Sequence, residues 1–317
     1  MDLRKLFIDG QQQLNTQRAA LEASRAGILR AGNTGYMVGD SVRGRCPREA
    51  IMRYFGIDKD FPLSTRIMFA AGELMENVFI DRFSKSWSGG LGTQQEYPVE
   101  WICNGIPVSG SPDLVFTDGN NTPVFGCEFK MISSYWTMHK VTPWKEDVAP
   151  KPDHIAQAAH YMYKMGQQIG EDYVEWALGY VCPNAYHIHT PAVRDSDQYR
   201  DEFIRKNGRV FKIDPHLVFY YLHVDSSGRV LFRREDSEQL QETEITVQGI
   251  ERYYELLVEC ISERKLPPRY ENTDCFGRPQ KGWSPYEKQY NDYYALHDAY
   301  DEGKLSFDEF MDEARKI

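Results

Sequence analysis

No two cysteines of this chain lie close together: Cys46, Cys103, Cys127, Cys182, Cys260 and Cys275 are scattered over 317 residues. The paired spacing of a zinc or dithiol site is therefore missing, and disulfides are not expected. Long apolar runs are missing too. No window approaches the roughly 18 consecutive apolar residues of a membrane span, and Met1-Asp2-Leu3-Arg4-Lys5 does not open a signal peptide. The expectation is a soluble, cytoplasmic protein with no membrane partner. Positive charge is in deficit, with a formal net charge of −10, so any contact with nucleic acid must come from a local basic surface. Internal repeats, low-complexity tracts and a Gly-x-x-x-x-Gly-Lys phosphate loop are also absent.

What is present suits one large domain or one domain with appendages, since the chain has 317 residues and 41% of them are hydrophobic. The expected organisation is an N-terminal helical arm over 1–35, a core over 36–270 and an acidic, tyrosine-rich helical tail over 271–317. Leu3 to about Leu29 reads as helical and ends at the breaker cluster Gly32-Asn33-Thr34-Gly35. Ser41 to Phe55 carries Arg43, Arg45, Arg48 and Arg53, with apolar residues that suit a packed helix. Ser64 to Phe83 has apolar residues at three- and four-residue intervals and reads as a second helix.

Glu96 to Cys103, the Asn104-Gly105 turn and Ile106 to Phe116 read as a β-hairpin, and Pro123 to Lys130 as a third strand after Asp118-Gly119-Asn120-Asn121. Asp153 to Met165 returns to helical spacing, with Asp153 as its N-cap. Glu175 to Cys182, Leu217 to Val224 and Arg229 to Arg233 are strands, and Thr246 to about Lys265 is a helix. In the tail, Asp298, Glu302, Gly303, Leu305, Ser306 and Glu309 mimic a calcium loop, but Tyr300 occupies a ligand position. A helix-turn-helix, with Gly303 ending one helix and Ser306 capping the next, explains the same residues.

The chemistry gathers around Asp113 and the triplet Glu128-Phe129-Lys130. Residues two apart on a strand share a face, so Glu128 and Lys130 point one way while Cys127 and Phe129 point the other. Asp113 joins them from the neighbouring strand. Alternating charges on a strand usually mean only a solvated face. This strand is apolar around its charges, however, and two acids on a buried sheet need a reason. Hard carboxylate oxygens suit Mg2+ or Mn2+, and a lysine beside them suits a developing phosphoryl charge. On the later helix, Gln157 and Tyr161 lie one turn apart and His154 and Lys164 extend their face; on the earlier one, Glu76 offers a third carboxylate a turn after Gly72.

Taken in order, the Ser41 to Arg48 segment, Gly72-Glu73-Leu74-Met75-Glu76, Pro112-Asp113, Glu128-Phe129-Lys130 and Gln157-Ala158-Ala159-His160-Tyr161 resemble the PD-(D/E)XK nuclease superfamily. Within it they resemble the branch of RecB-like nuclease domains, lambda-type phage exonucleases and CRISPR adaptation nucleases. The resemblance covers roughly Ser41 to Tyr161. It implies an α/β fold with a restriction-endonuclease-like core, a central mixed β-sheet flanked by helices. It also implies a metal shell of Glu76, Asp113 and Glu128, a catalytic Lys130, and substrate positioning by Gln157 and Tyr161. Glutamate at position 76, where RecB-like members often carry histidine, leans towards the lambda-type relatives.

The implied activity is metal-dependent exonucleolytic hydrolysis of DNA that prepares ends for recombination or repair. A phage origin, a single-strand annealing or recombination partner and a homo-oligomer fit it. The alternatives are an endonuclease or CRISPR-adaptation-like enzyme trimming single strands or flaps, and a non-catalytic DNA-binding module. Arg43, Arg45, Arg48, His154 and Lys164 are the candidate nucleic-acid contacts, with Lys140, Lys145 and Lys151 as further cations. Many RecB-like relatives hold an iron-sulfur cluster. Here Cys46 matches the early ligand, but Ser284-Pro285-Tyr286-Glu287-Lys288-Gln289-Tyr290 stands where the late cysteines would be, leaving only Cys275 nearby. No cluster is expected, and Cys46 reads as a small buried residue. His187 and His189 lack a third ligand and remain unassigned.

Overall fold

In the computed structural model, residues 25–57, 63–87, 90–93, 97–132, 149–181, 203–206, 209–212, 217–279 and 293–317 are described. The strands are β1 (Leu29–Arg30), β2 (Tyr36–Val38), β3 (Ser41–Arg43), β4 (Gly90–Thr93), β5 (Val99–Cys103), β6 (Ile106–Gly110), β7 (Leu114–Thr117), β8 (Pro123–Met131), β9 (Glu175–Val181), β10 (Phe203–Lys206), β11 (Arg209–Lys212), β12 (Leu217–Val224), β13 (Arg229–Arg234) and β14 (Gln241–Thr246). The helices are α1 (Pro47–Tyr54), α2 (Leu63–Ser86), α3 (Pro152–Ile169), α4 (Val247–Ser262), α5 (Tyr294–Asp301) and α6 (Phe307–Ala314). No helix among the described residues is long and apolar enough to cross a membrane.

Seven strands form a mixed sheet in the order β14-β13-β12-β9-β8-β7-β4. All its pairings are antiparallel except β8 with β9, which α3 connects as a crossover. The turn before β8 sets the register. Asp118 Oδ1 accepts the backbone N–H groups of Asn120 at 2.8 Å and Thr122 at 2.9 Å, and Asn121 adopts a positive φ of 68°. Asparagine tolerates that conformation and aspartate closes such turns.

Side-chain alternation then gives the sheet two apolar faces. Trp176, Leu178 and Tyr180 of β9 pack with Ile155, Ala158, Ala159 and Met162 of α3. On the other face, Leu114, Phe116, Cys127, Phe129 and Ala177 meet Phe79, Ile80 and Phe83 of α2. Gly126 lets β8 and β9 approach, because a Cβ there would lie 2.2 Å from the Trp176 ring. The architecture is mixed α/β, with helices on both faces of the central sheet.

Several boundaries differ from the sequence reading. Gly27 turns with φ 84° and Leu29–Arg30 pairs in parallel with β6, so residues 25–30 are not helical. The rest of the expected arm, 1–24, lies outside the described residues. Ser41 to Phe55 is not one helix: β3 pairs with β2, and α1 begins at Pro47, whose fixed φ suits a first helical position. Pro152 does the same for α3, so Lys151 rather than Asp153 is the N-cap. The expected strand from Ile106 to Phe116 breaks at Ser111-Pro112-Asp113. Its first half pairs with β5 in a three-stranded sheet, and its second half enters the central sheet. Proline has no N–H to continue the ladder.

Within the tail, α5 and α6 form a helix-turn-helix, whereas 271–279 is not helical: Glu271 bridges to Arg43 and Thr273 to Pro279. Gly303 has φ 70°, and Ser306 with Glu309 forms a reciprocal capping box for α6. Phe307, Phe310, Met311 and Ala314 join the same apolar cluster as Ile51 and Met52 of α1. Arg48 locks the two parts together, donating through Nε to the Pro267 carbonyl at 2.8 Å and through its terminal amines to Asp301 at 2.5 and 3.2 Å. Arg269 reaches the same acid at 2.7 Å. Arg48→Ala is expected to destabilise the protein by about 2 kcal/mol, read by chemical denaturation, because it strands a buried carbonyl and one side of Asp301.

Candidate active site

Asp113 and Glu128 stand opposite each other at the end of the β7–β8 ladder. Leu114 pairs with Cys127, so the residue before the one faces the residue after the other. Where Pro112 stops the ladder, Asp113 Oδ2 takes over as acceptor for the Phe129 backbone N–H, at 2.7 Å. Both acids are buried, Glu128 at 2% and Asp113 at 7% exposure.

Glu128 is held by one of its oxygens. Its Oε1 accepts from Lys130 Nζ at 2.6 Å and from Gln157 Nε2 at 2.8 Å. Gln157 Nε2 also lies 3.4 Å from the Tyr161 hydroxyl, so the stripe along α3 reaches the acid as one unit. The other oxygen, Oε2, is buried and has no hydrogen-bond partner among the described residues. A buried, unpaired carboxylate oxygen costs free energy unless something outside the chain meets it.

The electrostatics follow from this crowding. Burial first, and then the neighbouring charge of Asp113, push Glu128 up to about 7, although Lys130 pulls the other way. Burial alone would lower the Lys130 ammonium, but Glu128 and Asp113 outweigh it and its pKa is raised. Lys130 therefore stays charged at neutral pH. Tyr161 is pushed well above the usual tyrosine range, by burial and then by Glu128, and remains a neutral phenol.

Of the residues singled out in the sequence, five converge here: Asp113, Glu128, Lys130, Gln157 and Tyr161. Glu76 belongs to α2, which packs through Phe79 and Phe83 on the opposite face of β8, and its side chain lies outside the described residues. No group of three or more His, Cys, Asp or Glu residues that could hold a metal ion occurs among the described residues. The described pair of acids fits a hard cation by donor chemistry and by the orphaned Oε2.

The candidate nucleic-acid contacts separate. Arg45 borders the site, with Nε 3.1 Å from Asp153 Oδ2. His154 is buried, its Nδ1 2.9 Å from the Tyr180 hydroxyl, and burial drives its pKa well below the usual range. Tyr180 also accepts the Lys151 N–H at 3.1 Å. Arg43 is spent on Glu244 and Glu271, and Arg48 on the tail. Lys164 turns aside to Glu251 at 3.1 Å and lies over the Tyr163 ring. Lys140 and Lys145 lie outside the described residues, as do His187, His189, Cys182 and 284–290. Cys46 is half-buried at the N-cap of α1 rather than fully buried.

Asp153 and Tyr180 were not singled out as site residues in the sequence. Tyr180 is the β9 register partner of Lys130, which a parallel pairing of the two strands would have predicted. Gly110 is the tightest point around Tyr161: a Cβ there would lie 2.4 Å from Ala31 Cβ and 2.5 Å from the Tyr161 ring. Gly110→Ala is expected to cost about 1–3 kcal/mol in a denaturant titration and to push Tyr161 off Gln157.

No protein-family model matches the chain, and no curated protein matches it. Among solved structures, one titled "Crystal structure of SSO0001" is similar at 13% identity and a TM-score of 0.36, over 58% of this chain and 74% of that one. A likeness that slight carries no argument about fold or activity.

Proposed function

We propose that the chain is a metal-dependent deoxyribonuclease with a restriction-endonuclease-like core, of the PD-(D/E)XK kind, acting from DNA ends in recombination or repair. The observation that carries this reading is Glu128: one oxygen fixed by Lys130 and Gln157, the other buried, unpaired and across the ladder from Asp113. A structural acid on a sheet would have both oxygens satisfied. Asp113 and Glu128 would hold Mg2+ or Mn2+, while the third carboxylate of the sequence reading, Glu76, belongs to the helix packed on the other face of β8. Such a cation supplies charge neutralisation at the phosphoryl oxygens and acidifies a bound water.

The chain's own residues supply the rest. Lys130, kept protonated by the two acids, places an ammonium beside the reacting phosphate and offsets the negative charge that grows as the bond breaks. Gln157, braced by Tyr161, holds the Glu128 carboxylate in one orientation, so that its free oxygen need not reorganise during turnover. The same reading puts the protein's work in the cytoplasm, of a bacterial host if it is phage-encoded, with an annealing or recombination protein as partner and a homo-oligomer as its form.

Linear duplexes labelled at the 5′ or 3′ end, incubated with Mg2+, Mn2+ or chelator, test activity, metal need and direction together. Metal-dependent release of nucleotides from linear DNA, with closed circles untouched, is the expected result. Nicking of circles would turn the reading to an endonuclease, and binding without cleavage in either metal would turn it to a DNA-binding module.

A further inference from the structure

We propose that Asp153 is a positioning residue: it fixes Arg45 at the edge of the site, one turn of α3 before Gln157, so that the arginine grips a backbone phosphate neighbouring the one under attack. The proposal rests on the nuclease reading of the site and adds to it the residue that orients the substrate clamp.

Arg45 enters the site from the turn between β3 and α1. Gly44 has φ 84° and would bring a Cβ within 3.2 Å of the Tyr36 ring, so the turn is closely fitted, and Pro47 fixes the first turn of α1. Its backbone is therefore anchored while its side chain stays 43% exposed. The guanidinium meets Asp153 as an ion pair, Nε lying 3.1 Å from Oδ2, and none of its nitrogens is hydrogen-bonded to a described residue. An arginine held on one side by the charge of an acid, with its N–H groups free, is set to meet a phosphate with two parallel N–H groups.

Asp153 has no need to be buried for the sake of α3. It is not the N-cap, and an exposed acid in the first turn would serve the helix dipole as well. Instead its side chain is 17% exposed and surrounded by cations. Burial pushes its carboxyl up, but the charges it faces outweigh burial and hold it below the usual carboxylate range: His154 when protonated, then Arg45, Lys151 and Lys130. Since His154 is neutral near pH 7, the permanent charges opposite Asp153 are Arg45, Lys151 and Lys130. Each of two cations thus has its own acid, Lys130 the buried Glu128 and Arg45 the half-buried Asp153. A polyanion bearing regularly spaced phosphates suits such a pair.

The test is equilibrium binding of a fluorescent DNA oligonucleotide to the full chain in chelator, by anisotropy over a range of salt, for wild type, Arg45→Ala, Asp153→Asn, Asp153→Ala and the double variants. Arg45→Ala should weaken binding about fivefold and lower the salt slope by about one. That loss should shrink to under about twofold in either Asp153 background, because an unheld arginine grips little. A loss undiminished or larger without Asp153 would mean that the acid only competes with DNA for the arginine, and would overturn the proposal. So would a lowered melting temperature in both Asp153 variants with no coupling to Arg45, or wild-type protein that does not bind. Cleavage is measured separately: coupling without cleavage spares the clamp and defeats the nuclease, whereas cleavage without coupling does the reverse.

Discussion

Glu128→Gln is expected to lower metal-dependent DNA turnover about a thousandfold while leaving oligonucleotide binding in chelator within about threefold of wild type. The amide keeps the shape of the side chain and can still accept from Lys130 through its oxygen, so the fold has little reason to change. What it removes is the carboxylate charge whose second oxygen is buried without a partner among the described residues. Lys130→Ala should lose about a hundredfold, with the effect in kcat rather than KM, because the ammonium meets charge that exists only as the bond breaks. A Glu128→Gln protein that turns DNA over at the wild-type rate would remove this residue from the chemistry. Loss of both turnover and melting temperature would mark a structural acid instead.

The second large effect is on stability and its dependence on pH. An ordinary glutamate has a value of 4.5, and here burial and Asp113 raise it to about 7. The folded state therefore binds the Glu128 proton more tightly than the unfolded state does. In chelator, this group gives no penalty below about 4.5; stability is lost progressively as pH rises through the window from about 4.5 to about 7, and stays lost above it. The gap corresponds to an upper bound of about 3 kcal/mol, or roughly 5 °C in melting temperature. Glu128→Gln should flatten that part of the profile. Millimolar Mn2+ at pH 8 should recover most of the loss in wild type and none in Glu128→Gln, since a ligand of the folded state alone raises its stability. A wild-type profile in chelator that coincides with that of Glu128→Gln between pH 4.5 and 7 would show that the acid is not strained.

The face of the sheet that carries Glu128 and Lys130 was legible because it depends on local rules. Period-two alternation put Glu128 and Lys130 on one side of β8, and the Asp118 turn fixed the register that brings Asp113 across from Glu128. The i, i+4 spacing of Gln157 and Tyr161 likewise survives in the hydrogen bonds of α3. What was not legible depends on distant partners. Arg48 looked like a surface cation because nothing local reveals Asp301, 253 residues away. The apolar spacing of α2 announced a helix but not which face of the sheet it would cover. The strand β14, Gln-Glu-Thr-Glu-Ile-Thr, escaped notice because an edge strand can be largely polar, and α3 hid its true start because Asp153 is a stronger N-cap signal than Lys151.

Where a divalent cation sits is the point on which the account turns, and anomalous scattering from crystals grown with Mn2+ would answer it directly. A manganese peak is expected within coordination distance of Glu128 Oε2 and a carboxylate oxygen of Asp113, lost in Glu128→Gln crystals. Manganese bound only elsewhere, or a saturating concentration that leaves this pair of acids bare, would contradict it.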